Sequence, residues 1–65
     1  MKHTRYIIKD EFEFPLYWIG DDPMPRQADK GDYASAQHFV THEAAKRKLE
    51  KLRMDGHCSI EAVSV

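Results

Sequence analysis

Four residues carry the side chains best suited to metal chemistry: His38, His42, His57 and Cys58. Zinc accepts imidazole and thiolate, and four such ligands would close a tetrahedral structural site. Their spacing works against one. His38 falls before the expected helix start and His42 inside the helix, so the pair does not share a helical face. Adjacent His57 and Cys58 point to opposite sides of a strand. A lone cysteine at an inward strand position reads as a small buried hydrophobe. No metal or other cofactor is expected. Glu11, Glu13, Asp21 and Asp22 offer paired carboxylates, but 65 residues are too few to wall off a deep, dry pocket around them. No nucleophile elbow, phosphate loop or His-containing triad order is present. Catalysis is not expected.

Two sets of residues are suited to binding. The first surrounds the loop from Gly20 to Asp32. Structureless loops longer than about 12 residues are uncommon in small domains and are often functional. Here Pro23-Met24-Pro25-Arg26 stiffens the chain and presents Met24 beside Arg26, with Tyr17 and Trp18 at the base and Asp21 and Asp22 as an acidic edge. Methionine, arginine and aromatic side chains are enriched at protein interfaces. The second set is Lys46, Arg47, Lys51 and Arg53, whose charges suit phosphate contacts, with Tyr17 and Trp18 available for base stacking. Pairing of Glu43 with Arg47 and of Lys46 with Glu50 at i, i+4 would consume part of that charge.

Charge is divided along the chain although the net value is only −1. Residues 10–32 hold seven acids against two bases, and residues 42–54 hold five bases against two acids. Such a division orients a partner during encounter, within a screening length of about 10 Å. The near-neutral total lacks the basic footprint usual in nucleic-acid binders. One cysteine excludes an internal disulfide, and no hydrophobic leader or run of about 20 apolar residues is present. The expected setting is the cytosol, away from membranes.

These residues must be positioned by few elements. Val40-Thr41-His42-Glu43 predicts a helix start with Thr41 as N-cap, Glu43 in the first turn and Val40 stapled to Ala45. Ala45, Leu49 and Leu52 follow one helical face, and Gly56 is the expected left-handed residue after a helix of about 13 residues. Cys58, Ile60 and Ala62 alternate with Ser59 and Glu61 as in a strand, and the phase slip at Val63 predicts a bulge or frayed end. Residues 4–9 predict a first strand and residues 12–19 a second, edge-like because of Pro15. Ala36 to Val40 supplies a third short strand or an extended lead-in.

The expected fold is a single α+β domain over residues 1–65: an antiparallel sheet of three or four strands, ordered β-β-(β)-α-β, with one helix on one face. Tyr6, Ile8, Leu16, Trp18, Phe39, Ala45, Leu49, Leu52, Cys58, Ile60 and Ala62 form its core. One helix of about 20 Å covers one sheet face only. The opposite face, with Ile7, Tyr17, Ile19 and, in a regular strand, Val63 and Val65, is therefore expected either to bind another molecule, including a second copy, or to be closed by residues 21–35.

The spacing Tyr6-x-Ile8, Trp18-x-Gly20, Ala36-x-x-Phe39-x-Thr41-x-x-x-Ala45, then Leu49 and Leu52, resembles that of small orphan proteins of phages and prophages. The resemblance spans most of the chain and implies a β-β-α-β core rather than a site. Characterised members of that group bind and block host proteins, anti-CRISPR and other anti-defence inhibitors among them. The resemblance thus implies a non-enzymatic protein-binding inhibitor of a host complex in the host cytosol. The alternative is a small nucleic-acid-binding domain working through helix residues 42–54.

Overall fold

The computed structural model describes residues 2–65. One helix and four strands in two small antiparallel sheets make an α+β fold. β1 spans Thr4–Asp10, β2 Leu16–Tyr17, β3 Arg26–Gln27 and β4 Cys58–Ser64; a 3-10 turn at Tyr33–Ser35 precedes α1, His42–Lys51.

β1 and β4 form the main ladder. Their register runs from Thr4↔Ser64 to Asp10↔Cys58 without interruption, so the bulge expected at Val63 is absent. β1 is the middle of this layer. On its other edge Tyr6 exchanges both backbone hydrogen bonds with Phe39, at 2.9 and 2.8 Å, and Lys9 bridges to Pro15. The lead-in to the helix is therefore extended chain touching β1 at one residue pair. The third strand lies instead at Arg26–Gln27, inside the segment expected to be structureless, where it pairs with β2. The second strand is shorter than expected because residues 10–14 are used in a turn. Glu13 N donates to Asp10 O at 3.0 Å, Asp10 N donates to Phe14 O at 3.0 Å, and Glu13 adopts φ 68°. This is the three-residue hairpin loop with a left-handed residue at its end.

Thr41 caps α1 as the sequence predicts, its Oγ1 accepting from Ala44 N at 3.1 Å. Val40 is not the staple, since it stays 69% exposed. The helix stops earlier than expected, at Lys51, and the residue that turns left-handed is Arg53 at φ 56°, not Gly56. Met54 N donates to Leu49 O at 2.9 Å and Arg53 N to Glu50 O at 3.1 Å. These are the two bonds of a Schellman cap, with Met54 packing back on the core near Leu49.

Ile8, Leu16, Trp18, Ala45 and Leu49 form the buried cluster between sheet and helix. Tyr6, Phe39, Leu52, Met54, Cys58 and Ile60 pack against it half-buried. Ala62 is exposed rather than in the core. The opposite sheet face is covered around Ile7, while Ile19 and Val65, expected on the same face, stay 56% and 51% exposed. Ile7 is fully buried, and Pro15, Ala28 and Ala36 are buried outside the main cluster. The covering chain is pinned by Ala28 N to Pro15 O at 2.9 Å and Gln37 N to Leu16 O at 3.2 Å. On this face the Glu61 carboxylate beside Tyr33 pushes the phenol's pKa up, and its Oε2 lies 3.3 Å from Lys9 Nζ. Of the two outcomes expected for this face, closure by the chain itself is the one found around Ile7, with residues 28–36 as the cover, so the centre of the face is not open to a partner or a second copy. A short irregular segment suffices because the face is only two strands wide.

Candidate functional site

The loop residues singled out in the sequence are built into turns that leave some on the surface and bury one. Trp18 is 8% exposed, its Nε1 donating to Pro23 O at 3.3 Å and Lys48 Nζ standing 4.9 Å from its ring centroid. It is a core residue that anchors the loop, and burial removes it from any contact surface. Ile19 to Asp22 make a tight turn with Gly20 at φ 56°, and Asp22 Oδ1 accepts from Met24 N at 2.9 Å. Asp21, Asp22, Met24 and Arg26 are exposed, and Tyr17 is half-buried. Met24 is 67% exposed.

A groove of about 470 Å³ opens beside this loop, within the range of small-ligand sites. Its base is apolar: Leu16, Pro25, Met54 and Cys58. Phe12, 65% exposed, stands along it because the hairpin turn carries its side chain out of the fold. Charged and polar groups border it, namely Asp10 and Glu11 from the turn, Arg26 and Gln27 from β3, and His57. Of the expected binding residues only Arg26 lines this groove. Neither Phe12 nor Met54 is legible in the sequence, since Phe12 falls in the aromatic run 12–19 that reads as strand and Met54 in the expected helix; the left-handed Glu13 and Arg53 take them out of those elements.

Asp10 holds the groove's acidic end in place. Its Oδ1 accepts from Phe12 N and Phe14 N, each at 2.9 Å, and its Oδ2 from Gln27 Nε2 at 2.6 Å. Burial alone would raise its pKa, but the three hydrogen bonds together favour the carboxylate and hold the pKa below its ordinary 3.8. Cys58 experiences the reverse. Burial, and then the negative charges of Asp10 and Glu11, push its thiol pKa up. A protonated thiol is a poor nucleophile and a poor metal ligand.

The metal hypothesis finds no geometry. No group of three or more His, Cys, Asp or Glu side chains converges among the described residues. His38 Nε2 donates to Tyr33 O at 2.8 Å, and His42 stands edge-on to Tyr6 with centroids 5.8 Å apart. Only His57 and Cys58 lie in one place, along the groove.

On the helix, His42, Glu43, Lys46, Arg47 and Glu50 line a shallow hollow. Arg47 pairs with Glu43 at 2.9 Å, whereas Lys46 and Glu50 do not form the expected ion pair. Lys51 and Arg53 are exposed beyond it, Arg53 on the left-handed turn. Lys48, the remaining base, lies over Trp18. Acidic and basic side chains thus alternate over this surface. Among the described residues no helix is long and apolar enough to cross a membrane.

No protein-family model, curated protein or solved structure matches the chain. The likeness to phage and prophage proteins accordingly rests on residue spacing alone.

Proposed function

We propose that this chain is a non-enzymatic protein-binding module that seats an apolar segment of a partner protein in the groove beside Phe12. The observation that carries this reading is the apolar base of Leu16, Pro25, Met54 and Cys58, left open beneath a largely exposed phenylalanine. An aromatic side chain standing over an apolar trough, bordered by an arginine, has the composition of an interface hot spot. The raised thiol pKa of Cys58 argues against nucleophilic chemistry in the same place. Arg26 and the adjacent Met24 extend the contact surface toward the loop, while Asp21 and Asp22 lend it a negative margin that suits a partner with basic residues.

Inhibition of a host defence complex by occupying its surface is the specific form of this reading, drawn from the spacing resemblance. The nucleic-acid alternative is less favoured because Glu43 and Glu50 interleave with Lys46 and Arg47. Capture from a host lysate followed by mass spectrometry tests the proposal. Phe12→Ala and Phe12→Glu should each weaken partner retention by at least about 30-fold, as expected for loss of a hot spot worth about 2 kcal/mol. Undiminished capture by both variants, with circular dichroism unchanged, overturns the groove. Retention lost only when Met24→Ala is combined with Asp21→Lys and Asp22→Lys would move the site to the loop.

A further inference from the structure

β4 leaves one edge of the main ladder without a partner. Which of its backbone groups are free follows from parity. Tyr6 turns both its N–H and its C=O toward Phe39, and Asp10 turns its N–H toward Phe14, so the even residues of β1 face away from β4. His3 and Val65 exchange both hydrogen bonds, at 2.8 and 2.9 Å, so the odd residues make the ladder. Across the register, Arg5, Ile7 and Lys9 bond to Val63, Glu61 and Ser59. The N–H and C=O groups of Ile60, Ala62 and Ser64 therefore point outward, and none has a backbone partner among the described residues. Cys58 N is already taken by Met54 O at 3.1 Å.

Exposed strand edges are normally blunted by proline, a bulge, an outward lysine or a covering segment. β4 has none of these. Its sequence, Cys58-Ser59-Ile60-Glu61-Ala62-Val63-Ser64, carries a single charge, and Glu61 is already engaged by Lys9 and Tyr33 on the far face. The edge is regular over its full length, and Ala62 is exposed.

We infer that the β4 edge is the interface of a symmetric dimer, a second copy of this chain adding its own β4 antiparallel to form a sheet β1-β4-β4-β1. The inference is independent of the groove, which lies at the opposite end of β4, beside Cys58. A two-fold axis at Ala62 is the register the residues select. It sets Ala62 against Ala62 of the second copy and Ile60 against Ser64, and it pairs the outward N–H and C=O groups of all three residues. Centring on Glu61 would put two carboxylates face to face. Centring on Ile60 carries Ser64 past the start of β4 at Cys58, and centring on Val63 carries Ile60 past the end of β4 at Ser64. Self-complementarity of this kind belongs to an isologous contact. It is why the occupant is a second copy rather than a foreign strand.

One strand edge of about 23 Å buries less than the roughly 1,200 Å² of a stable complex. The dimer is therefore a weak one, dissociating in the micromolar-to-millimolar range. Sedimentation equilibrium across that range tests it, together with amide hydrogen exchange read by NMR. The expected result is a concentration-dependent dimer in which the Ile60, Ala62 and Ser64 amides gain protection only as the dimer forms. The Glu61 and Val63 amides should be protected throughout. Ala62→Lys, at an exposed position, should abolish dimerisation by facing two ammonium groups across the axis, with the circular dichroism of the monomer unchanged. Ala62→Pro, which removes a free N–H and no intrachain hydrogen bond, should do the same. A folded protein that stays monomeric at millimolar concentration overturns the inference. So does a dimer that survives both substitutions, protection at other amides, or protection that needs the extended segment of a different protein.

Discussion

The two faces of β1 are closed by unlike means. Ile8 lies beneath α1, where Ala45 and Leu49 come down on it at helical spacing. Ile7, its neighbour, is equally buried beneath irregular chain whose contributions are two alanines, a proline and a tyrosine beside Glu61. Burial to the same depth therefore does not require a periodic element. It requires only that the face be narrow and that the covering chain be tied down at intervals, here by Ala28 N to Pro15 O and Gln37 N to Leu16 O. The helix covers its side by repetition; the loop covers its side by a few specific hydrogen bonds.

The comparison can be broken first at its strongest member. Leu49→Ala should cost about 2–5 kcal/mol, since the cavity lies between two rigid elements. At roughly 4–8 °C per kcal/mol for a domain of this size, thermal denaturation should fall by about 10 °C or more. A shift of only a degree or two would place the helix in the wrong register. Ile7→Ala tests the other face, and should cost about as much as Ile8→Ala, within the same 2–5 kcal/mol range. If urea titration gives Ile7→Ala less than half the loss of Ile8→Ala, residues 28–36 are a loose flap and the two faces are not equivalent.

Asp10 sharpens the comparison from the loop side, because the turn it caps carries the chain from β1 into β2. Asp10→Ala removes the acceptor for Phe12 N, Phe14 N and Gln27 Nε2, and should cost about 1–2 kcal/mol. Its pKa is held below 3.8 in the folded protein. The carboxylate's contribution is therefore complete above the unfolded value and is lost as pH falls through the folded one. The gap between parent and Asp10→Ala should narrow in urea titrations as pH drops below about 4. A gap that persists unchanged at lower pH would show that the charge is not what holds the turn.

The same contrast explains what could be read from the residues. The helix, its Thr41 cap and the core positions Ile8, Leu16, Ala45 and Leu49 were legible because each belongs to a period or a cap with a known spacing. β4 was legible for the same reason, but Ala62 was not, because alternation gives the side of a strand and not how far the helix reaches along it. For the far face the residues admit two outcomes, an open surface or closure by the chain. Its closure draws on Ala28, Ala36 and Tyr33, which have no shared spacing for the sequence to reveal. The groove was missed because Phe12 belongs to an aromatic run that reads as strand, and only the left-handed Glu13 turns it out. Local charge patterning fared unevenly: Glu43–Arg47 forms, Lys46–Glu50 does not, and Lys48 is drawn to Trp18.

The smallest expected effect concerns the two non-glycine residues held left-handed, one bounding each region. Arg53 closes the helix at φ 56° and Glu13 closes the hairpin at φ 68°. A side chain there costs about 1 kcal/mol relative to glycine, offset in part because glycine loses more freedom on folding. Both positions are exposed, and among the described residues the only ion pair at either is Glu13 with Lys30 at 3.5 Å, too exposed to contribute much. Arg53→Gly and Glu13→Gly should therefore each stabilise the protein, by up to about 1 kcal/mol, and the two gains should add because the turns share no hydrogen bond. Thermal denaturation of the two single variants and the double variant decides. A gain at Arg53 without one at Glu13 would mean that the hairpin is held by Asp10 against a backbone free to relax, and that the helix side alone is rigid enough to feel the strain. Losses at both would mean that the unfolded chain, not the turns, sets the balance.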